Sequence, residues 1–137
     1  MATAGYSETS LLKKLGIKAG YKLLLINAPD NYSELLETDI RKQICKTTEL
    51  PDLIHLFAKN YKEFEMGMKK IRSTIQANQN IVIWVSWYKK SSRIATDLTE
   101  DVIRNFALKN NLVDIKVCAV SNTWSGLKLV VPLSKRI

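Results

Sequence analysis

The hydrophobic positions of this chain follow two patterns: short continuous apolar runs, and longer stretches in which apolar residues recur every three or four positions. Continuous runs of this length indicate strands buried on both faces, as in a parallel sheet. Three such runs occur, at Lys22–Ile26, Leu53–Ala58 and Ile81–Val85. A fourth segment, Ile40–Lys46, carries isoleucine or lysine at every second position. It predicts a weaker strand at a sheet edge, where lysines discourage unwanted pairing.

The periodic stretches predict two substantial helices. The longer one begins after Asn60, with Glu63 in the position of a capping box, and its apolar stripe runs from Tyr61 to Ile75. The other begins after Thr99, which is its predicted N-cap, and two acidic residues follow near the positive end of the helix dipole. Both helices should therefore bury one face against the sheet.

Two shorter helical segments are also predicted. Ser7 and Gly16 are the expected N-cap and C-terminal cap of a helix near the start of the chain. Leu35 and Leu36 mark a short helical piece that follows the first strand. These segments add helices to the predicted sheet without adding a separate unit.

The chain ends in a predicted hairpin, with strands at Asp114–Val120 and Leu127–Leu133 joined by Ser121–Gly126. A connection this short joins antiparallel neighbours, whereas the earlier alternation of strands and helices implies a parallel sheet. We therefore predict one α/β domain over residues 1–137. It has an open, mainly parallel sheet with helices on both faces and a C-terminal antiparallel hairpin. This three-layer, Rossmann-like arrangement is similar to a class I methyltransferase core that has lost one strand and one helix.

Composition places the chain among ordinary globular proteins. It has 137 residues, of which 46% are hydrophobic and 25% charged, and a domain of that length buries roughly two-thirds of its surface without needing a metal or disulfides. No run approaches the ~20 apolar residues of a membrane span, and Met1–Tyr6 lacks the features of a signal peptide. We expect a cytoplasmic protein with no membrane association.

Cysteine and histidine usage argues against a metal site. Cys45 and Cys118 are each expected inside a strand, and His55 is the only histidine. Two separated cysteines and one histidine do not have the spacing of a zinc site. We predict two buried thiols that act as small apolar side chains.

The net charge of +8 is unevenly distributed. Residues 1–60 contain eight basic and seven acidic residues, and residues 61–137 contain thirteen and six. Such asymmetry is typical of proteins with an anionic partner, which includes nucleic acid, nucleotides and phosphorylated metabolites. A solvated surface that keeps the protein soluble explains it equally well.

The expected ligand crevice lacks the features of a common cofactor site. In open α/β sheets, ligands bind beyond the carboxyl ends of strands where the strand order reverses. If the first strand is central, this crevice lies between Asn27–Asn31 and Lys59–Tyr61. The first of these segments has no glycine, and Pro29 has no N–H to donate. We therefore expect no dinucleotide or adenosyl cofactor of the ordinary kind.

The densest polar cluster follows the third buried strand, at Ser86–Arg93, and continues to Thr96 and Asp97. It precedes a helix N-terminus, a location that favours anions, and its hydroxyls and lysines could hold a phosphate or carboxylate. The candidate anion ligands are Lys89, Lys90, Ser91, Ser92 and Thr96. The alternative is a solvated loop that caps a helix.

Three aromatic residues are candidate ligand contacts. Trp87 and Tyr88 lie inside the polar cluster, where either could stack on a base. Trp124 is expected in the hairpin loop, where it either binds a ligand or folds back onto the sheet.

No catalytic set is apparent. His55 lies within an apolar strand, so we interpret it as a structural residue with one hydrogen bond rather than a general base. Asp97 and the two acidic residues after Thr99 are explained by helix capping. We find no Ser–His–Asp, Cys–His or paired-carboxylate arrangement.

The chain resembles a known family in several segments. They are Gly5–Ser7, Leu11–Lys18, Ile83–Ser92, Ala95–Arg104, Leu112–Val120 and Thr123–Lys128. In these segments the chain is similar to a family of short bacterial proteins grouped as a domain of unknown function, whose members tend to have proline where this chain has Tyr88. The resemblance implies a small, standalone, cytosolic bacterial protein, and it implies no particular activity.

Three hypotheses follow from the sequence. The leading one is a non-enzymatic binding or regulatory module that recognises a small anionic ligand or a protein partner at the carboxyl edge of the sheet. The second is a transferase-like enzyme on a degenerate methyltransferase core, which rests on analogy of topology. The third is a nucleic-acid-binding protein, suggested by the basic C-terminal half and its aromatic residues.

Overall fold

The structure, a computed structural model, describes residues 9–136, in which a five-stranded sheet carries helices on both faces. The strands are β1 (Leu23–Ile26), β2 (Leu53–Phe57), β3 (Val82–Tyr88), β4 (Val113–Ala119) and β5 (Trp124–Val130). The α-helices are α1 (Leu11–Leu15), α2 (Tyr32–Leu36), α3 (Tyr61–Ala77) and α4 (Glu100–Lys109), and 3-10 turns occur at Arg41–Gln43, Lys90–Ser92 and Leu133–Lys135. The predicted open, mainly parallel α/β sheet is confirmed.

The strand order is β1-β2-β3-β5-β4. The first three strands are parallel, and β5 is antiparallel to both β3 and β4. Because parallel strands end on the same side of a sheet, the loops after β1, β2 and β3 gather at one edge, which we call the carboxyl edge. This edge begins at Asn27, Ala58 and Lys89.

Each face of the sheet has its own apolar core. The cluster beneath α3 and α4 includes Phe64, Ile71 and Ile103, all of them fully or almost fully buried. The opposite cluster lies beneath α1 and α2 and is centred on Leu15 and Trp84, whose indole N–H donates to the Leu15 carbonyl at 2.9 Å. The sheet is therefore the middle of three layers, as predicted.

The predicted edge strand at Ile40–Lys46 is wrong. Residues Arg41–Gln43 form a 3-10 turn, and only Ile44 makes a single parallel bridge, with Leu23. The Gln43 amide donates to the carbonyls of Lys18 and Tyr21 at 3.0 and 3.1 Å, which holds the segment in a turn. Cys45 accordingly follows the bridge and does not lie inside a strand.

This single bridge fixes where the strand order reverses. Leu23 also pairs with Leu53 of β2, so Ile44 must lie on the other side of β1. The chain therefore leaves β1 toward one side, touches the sheet at Ile44, and then returns to form β2 on the opposite side. The carboxyl end of β1 is consequently the switch point of the sheet.

The hairpin forms, but its turn is tighter than predicted. The connection between β4 and β5 spans only residues 120–123, and Trp124 belongs to β5. The Ser121 hydroxyl accepts hydrogen bonds from the N–H groups of Thr123 and Trp124, both at 3.1 Å, a local motif that closes the turn. The later strand, β5, lies inside the sheet beside β3, and β4 forms the outer edge.

The helix caps confirm the sequence pattern with one correction. The side chains of Asn60 and Thr99 accept hydrogen bonds in the first turns of α3 and α4, as predicted. Gly16 ends α1 in the left-handed region, with a φ of 75°. The cap of α1, however, is Ser10, and the predicted cap Ser7 lies outside the described residues.

A helix that crosses a lipid bilayer must be both long and apolar. None of the helices within residues 9–136 combines these two properties.

Candidate functional site

A cavity of about 750 Å³ lies at the carboxyl edge, between the end of β3 and the start of α4. Its walls come from the β3–α4 loop, from the first turn of α4, and from Ser125 of β5. We call it the carboxyl-edge cavity. Its volume falls within the range of roughly 300–1,000 Å³ that is common for small-molecule sites.

Three cationic side chains line this cavity: Lys89, Lys90 and Arg93. The Lys89 N–H donates to the Thr123 carbonyl at 2.9 Å, which ties the start of the loop to the turn between β4 and β5. Arg93 has a φ of 62°, in the left-handed region, and closes the 3-10 turn with a hydrogen bond from its N–H to the Lys90 carbonyl. Among residues 9–136, no ion pair involves any of the three cations.

Two of the three predicted hydroxyl ligands, Ser92 and Thr96, have structural roles in the described part of the chain. The Ser92 hydroxyl donates to the Lys89 carbonyl at 2.6 Å and accepts from the N–H of Ile94. The Thr96 hydroxyl donates to the Lys59 carbonyl at 2.8 Å and accepts from the N–H of Leu98. Thr96 lines the cavity, whereas Ser91, which is exposed, and Ser92 are not among its lining residues.

The three aromatic candidates differ in accessibility. Trp87 is 7% exposed and packs in the core beneath α3 and α4, although one side of it lines the cavity. Tyr88 also lines the cavity and stacks on Trp124, with ring centroids 4.5 Å apart and planes 24° apart. Trp124 is 8% exposed and also meets Phe57 edge-on at 5.1 Å. Trp124 thus supports Tyr88 from the buried side.

Two acidic residues of the first turn of α4, Glu100 and Asp101, also line the cavity. Both pair with Arg104, which also reaches Asp114 on β4 at 3.0 Å. The hydrogen bonds to Glu100 and Asp114, the one to Glu100 foremost, raise the pKa of the Arg104 guanidinium. One guanidinium therefore pairs with three carboxylates, and the four side chains together carry a net negative charge.

The loops that follow β2 and β3 are hydrogen-bonded to each other. Besides the Thr96 bond to Lys59, the Asp97 carboxylate accepts from the N–H of Tyr61 at 2.8 Å. Asp97 therefore caps α3, the neighbouring helix, rather than the helix that follows it in sequence. The two bonds hold the β3–α4 loop against the start of α3 and the residues just before it, and so fix one wall of the cavity.

Several lining residues were not among the candidates from the sequence, and those that bear on binding are Arg93, Glu100, Asp101 and Ser125. Arg93 lies inside the polar run, so it could have been included with the lysines. The two carboxylates were assigned to helix capping alone. Ser125 reaches the cavity because it pairs with Trp87 across β3 and β5, and no local sequence pattern predicts that pairing.

His55 lies in the sheet interior and is fully buried. Its Nδ1 and Nε2 each form a 2.7 Å hydrogen bond, to the hydroxyls of Tyr32 and Ser86 respectively. Burial lowers the pKa of His55 from 6.5 to about 3 and raises that of the Tyr32 phenol. His55 is thus a neutral structural residue, as interpreted, although it makes two hydrogen bonds rather than one.

A second crevice, of about 470 Å³, lies at the switch point beside the end of β1 and the start of α3. We call it the switch-point crevice. Asn27, in the left-handed region with a φ of 56°, and Asn60 supply amide groups, and Lys62, Lys70 and Glu63 supply charges. The Asn27 amide donates to the Phe57 carbonyl at 3.3 Å, which joins the ends of β1 and β2.

Neither cysteine is set up for reactivity. Both are half-buried, not fully buried as predicted. This burial raises the pKa of the Cys45 and Cys118 thiols, and a raised pKa reduces the thiolate fraction. Within residues 9–136, no group of three or more His, Cys, Asp and Glu side chains is placed to hold a metal ion.

Comparison with known proteins identifies the fold. No family model and no curated protein matches this sequence. Among solved structures, Sp1610 of Streptococcus pneumoniae, a proposed tRNA (m1A22) methyltransferase, aligns with a TM-score of 0.59 and 9% identity over 91% of this chain and 71% of its own. An NADB-Rossmann superfamily protein of Streptococcus agalactiae aligns with a TM-score of 0.56 and 10% identity, over 92% of this chain and 69% of its own. An uncharacterised protein of Listeria monocytogenes serotype 4b aligns with a TM-score of 0.56 and 9% identity, over 96% of this chain and 70% of its own. The chain therefore has a Rossmann-like fold.

Proposed function

We propose that this protein is a binding module that recognises a small anionic ligand in the carboxyl-edge cavity. The observation that carries the proposal is the set of three cations, Lys89, Lys90 and Arg93, which line one cavity without an ion-pair partner in the described chain. Paired cations would have to release a carboxylate before binding a ligand, whereas these need only release water. A phosphate or carboxylate is the group that such a set binds best.

The surroundings of the cations suit a ligand with more than a charged group. Trp87, Tyr88 and Leu98 give the cavity an apolar part next to its basic part. Small-molecule sites typically combine an apolar wall with a few polar groups that orient the ligand. Tyr88 is held in place because its ring stacks on Trp124. A nucleotide or an aromatic phosphate would use both parts.

Binding rather than catalysis is the function that the residues support. The chain's only histidine is buried, neutral and bonded at both nitrogens. The cavity's carboxylates are held by Arg104, and its Thr96 hydroxyl is engaged by the backbone. None of these groups is positioned as a nucleophile or general base.

A thermal-shift screen with pyrophosphate, ATP, a sugar phosphate and a short oligonucleotide tests the proposal. A ligand at one hundred times its dissociation constant adds about 2.7 kcal/mol of stability. We expect a hit whose affinity falls at least tenfold in the double variant Lys89→Ala/Lys90→Ala, equivalent to about 1.4 kcal/mol. Lys42→Ala/Lys46→Ala, an equal loss of charge on exposed residues away from the cavity, is the matched control.

The control separates site binding from general attraction to a basic protein. Equal losses in both double variants would show that the affinity comes from net charge and would contradict the proposal. A hit confined to the oligonucleotide would favour the nucleic-acid hypothesis. A screen with no hit at millimolar concentrations would shift the function to a protein partner.

A transferase at the switch-point crevice is the second candidate. Its support is the reversal of strand order at β1, together with a crevice in the position where open α/β sheets bind ligands. The similarity to Sp1610 favours the same function, but it comes from fold alone. A ligand whose binding depends on Asn60 and Lys62, and not on Lys89 and Lys90, would support this candidate instead.

A further inference from the structure

The carboxyl-edge cavity is lined by charges of both signs that do not neutralise each other. Lys89, Lys90 and Arg93 come from the loop, and Glu100 and Asp101 come from the first turn of α4. No ion pair joins a residue of the first group to a residue of the second. The two sets of charges therefore line one cavity without pairing with each other.

Unlike the three cations, the acidic residues are paired, but their one shared partner cannot neutralise all of them. Arg104 contributes one positive charge, and it is shared among Glu100, Asp101 and Asp114. Arg104 also fixes the positions of these carboxylates, because it contacts all three from α4 and so joins the helix to β4. The cavity therefore has a held acidic side as well as a basic side.

From this arrangement we propose that the ligand of the cavity is zwitterionic, with a phosphate or carboxylate for the lysines and an ammonium or amidinium group for Glu100 and Asp101. This inference rests on the proposed function, because it assigns the second charge of the same ligand. A purely anionic ligand gains from the basic side and is repelled by the acidic side. A ligand with both charges is attracted by each side of the cavity. The carboxylates repel polyanions whose negative groups would have to lie beside them.

The test compares three probes that differ in one charged group at a time. They are 3-aminopropylphosphonate, propylphosphonate, which lacks the amine, and propylamine, which lacks the phosphonate. The two- and four-carbon aminoalkylphosphonates vary the distance between the charges. Calorimetric titration of the full chain should show that the best aminoalkylphosphonate binds at least tenfold tighter than its amine-free analogue, and propylamine alone should bind weakest.

Variants assign each charge to its side of the cavity. In Glu100→Gln/Asp101→Asn we expect the advantage of the amine to disappear, while propylphosphonate binds as well as before or more tightly. In Lys89→Ala/Lys90→Ala we expect both phosphonates to weaken together. Because the acidic residues also favour the start of α4, the melting temperature of each variant without ligand shows whether folding is intact.

The outcomes distinguish this inference from the function on which it rests. If phosphonates bind but the amine adds nothing at any chain length, the zwitterion inference is wrong and the anion site remains. If the amine's advantage survives in Glu100→Gln/Asp101→Asn, the acidic side is not what recognises it, which also overturns the inference. If no phosphonate binds, both proposals fail.

Discussion

At the scale of single residues, the buried chain Tyr32–His55–Ser86 is the feature that most constrains the protein. A fully buried imidazole is tolerated at this position because both of its nitrogens have hydroxyl partners at 2.7 Å. His55 also stacks on Phe57, with ring centroids 4.2 Å apart. The chain of hydrogen bonds links α2 to β2 and β3, so it fixes how the short helix lies on the sheet.

This environment makes the free energy of unfolding depend on pH. The pKa of His55 lies at about 3 in the folded protein and at about 6.5 when unfolded. The unfolded state therefore takes up a proton first as the pH falls, and stability that is complete above pH 6.5 is lost between pH 6.5 and 3. We expect the titration of this one residue to lower the free energy of unfolding by about 2 kcal/mol between pH 7 and 5.

Urea unfolding at pH 7, 6 and 5 measures this loss, with His55→Gln as a variant that cannot titrate but can still form hydrogen bonds. The variant's stability should change less over this range. The imidazole resonance offers a check that needs no variant, because His55 is the only histidine. A resonance that titrates near pH 6.5 in the folded protein would refute the buried, neutral state.

At the scale of elements, the β3–α4 loop is shaped by bonds that a sequence pattern does not reveal. The polar run after β3 was correctly expected at the carboxyl edge, because a strand buried on both faces fixes where the next loop emerges. The use of its hydroxyls could not be predicted. Thr96 bonds to Lys59, 37 residues earlier in the chain, and contacts at that separation depend on the packing of whole elements.

The variant Thr96→Val separates a structural role of this residue from a ligand role. Its hydroxyl bridges the Lys59 carbonyl and the Leu98 N–H, and the loss of a hydrogen bond typically costs about 1 kcal/mol. We expect the urea midpoint to fall accordingly and the amide of Leu98 to exchange faster with solvent. Thr47→Val, at an exposed turn position, is the control and should change neither.

An opposite outcome would restore the interpretation made from sequence. If Thr96→Val keeps its full stability and loses only affinity for the anion, Thr96 acts as a ligand rather than as a support of the loop.

At the scale of the whole molecule, the sequence predicted the layers and the parallel strands but not the strand order. Runs such as Leu53–Phe57, in which His55 is the one polar residue, identify buried strands because they are apolar on both faces. The order depends on pairings that leave little trace in local composition, such as the insertion of β5 between β3 and β4. The pairing of Ile44 was likewise not predictable from local sequence, although its single bridge to Leu23 decides where the strand order reverses.

This strand order places two candidate ligand sites on the carboxyl edge of the sheet. The switch-point crevice occupies the usual ligand position of an open α/β sheet, yet its first loop has an alanine and a proline where a nucleotide site needs glycines. The carboxyl-edge cavity lies at the end of β3 and is larger, and the cations in its wall form no ion pair within residues 9–136. We therefore expect ligand binding beside β3 rather than beside β1.

The measurement that tests this expectation most directly is a ¹⁵N-edited NMR titration of the full chain with pyrophosphate. We expect the amide resonances that move to cluster at residues 88–101 and at Ser125, with a saturable dependence on concentration. Movement confined to Asn27 and residues 60–70 would place the site in the switch-point crevice and contradict binding beside β3. Small shifts at lysines all over the surface, without saturation, would equally contradict it.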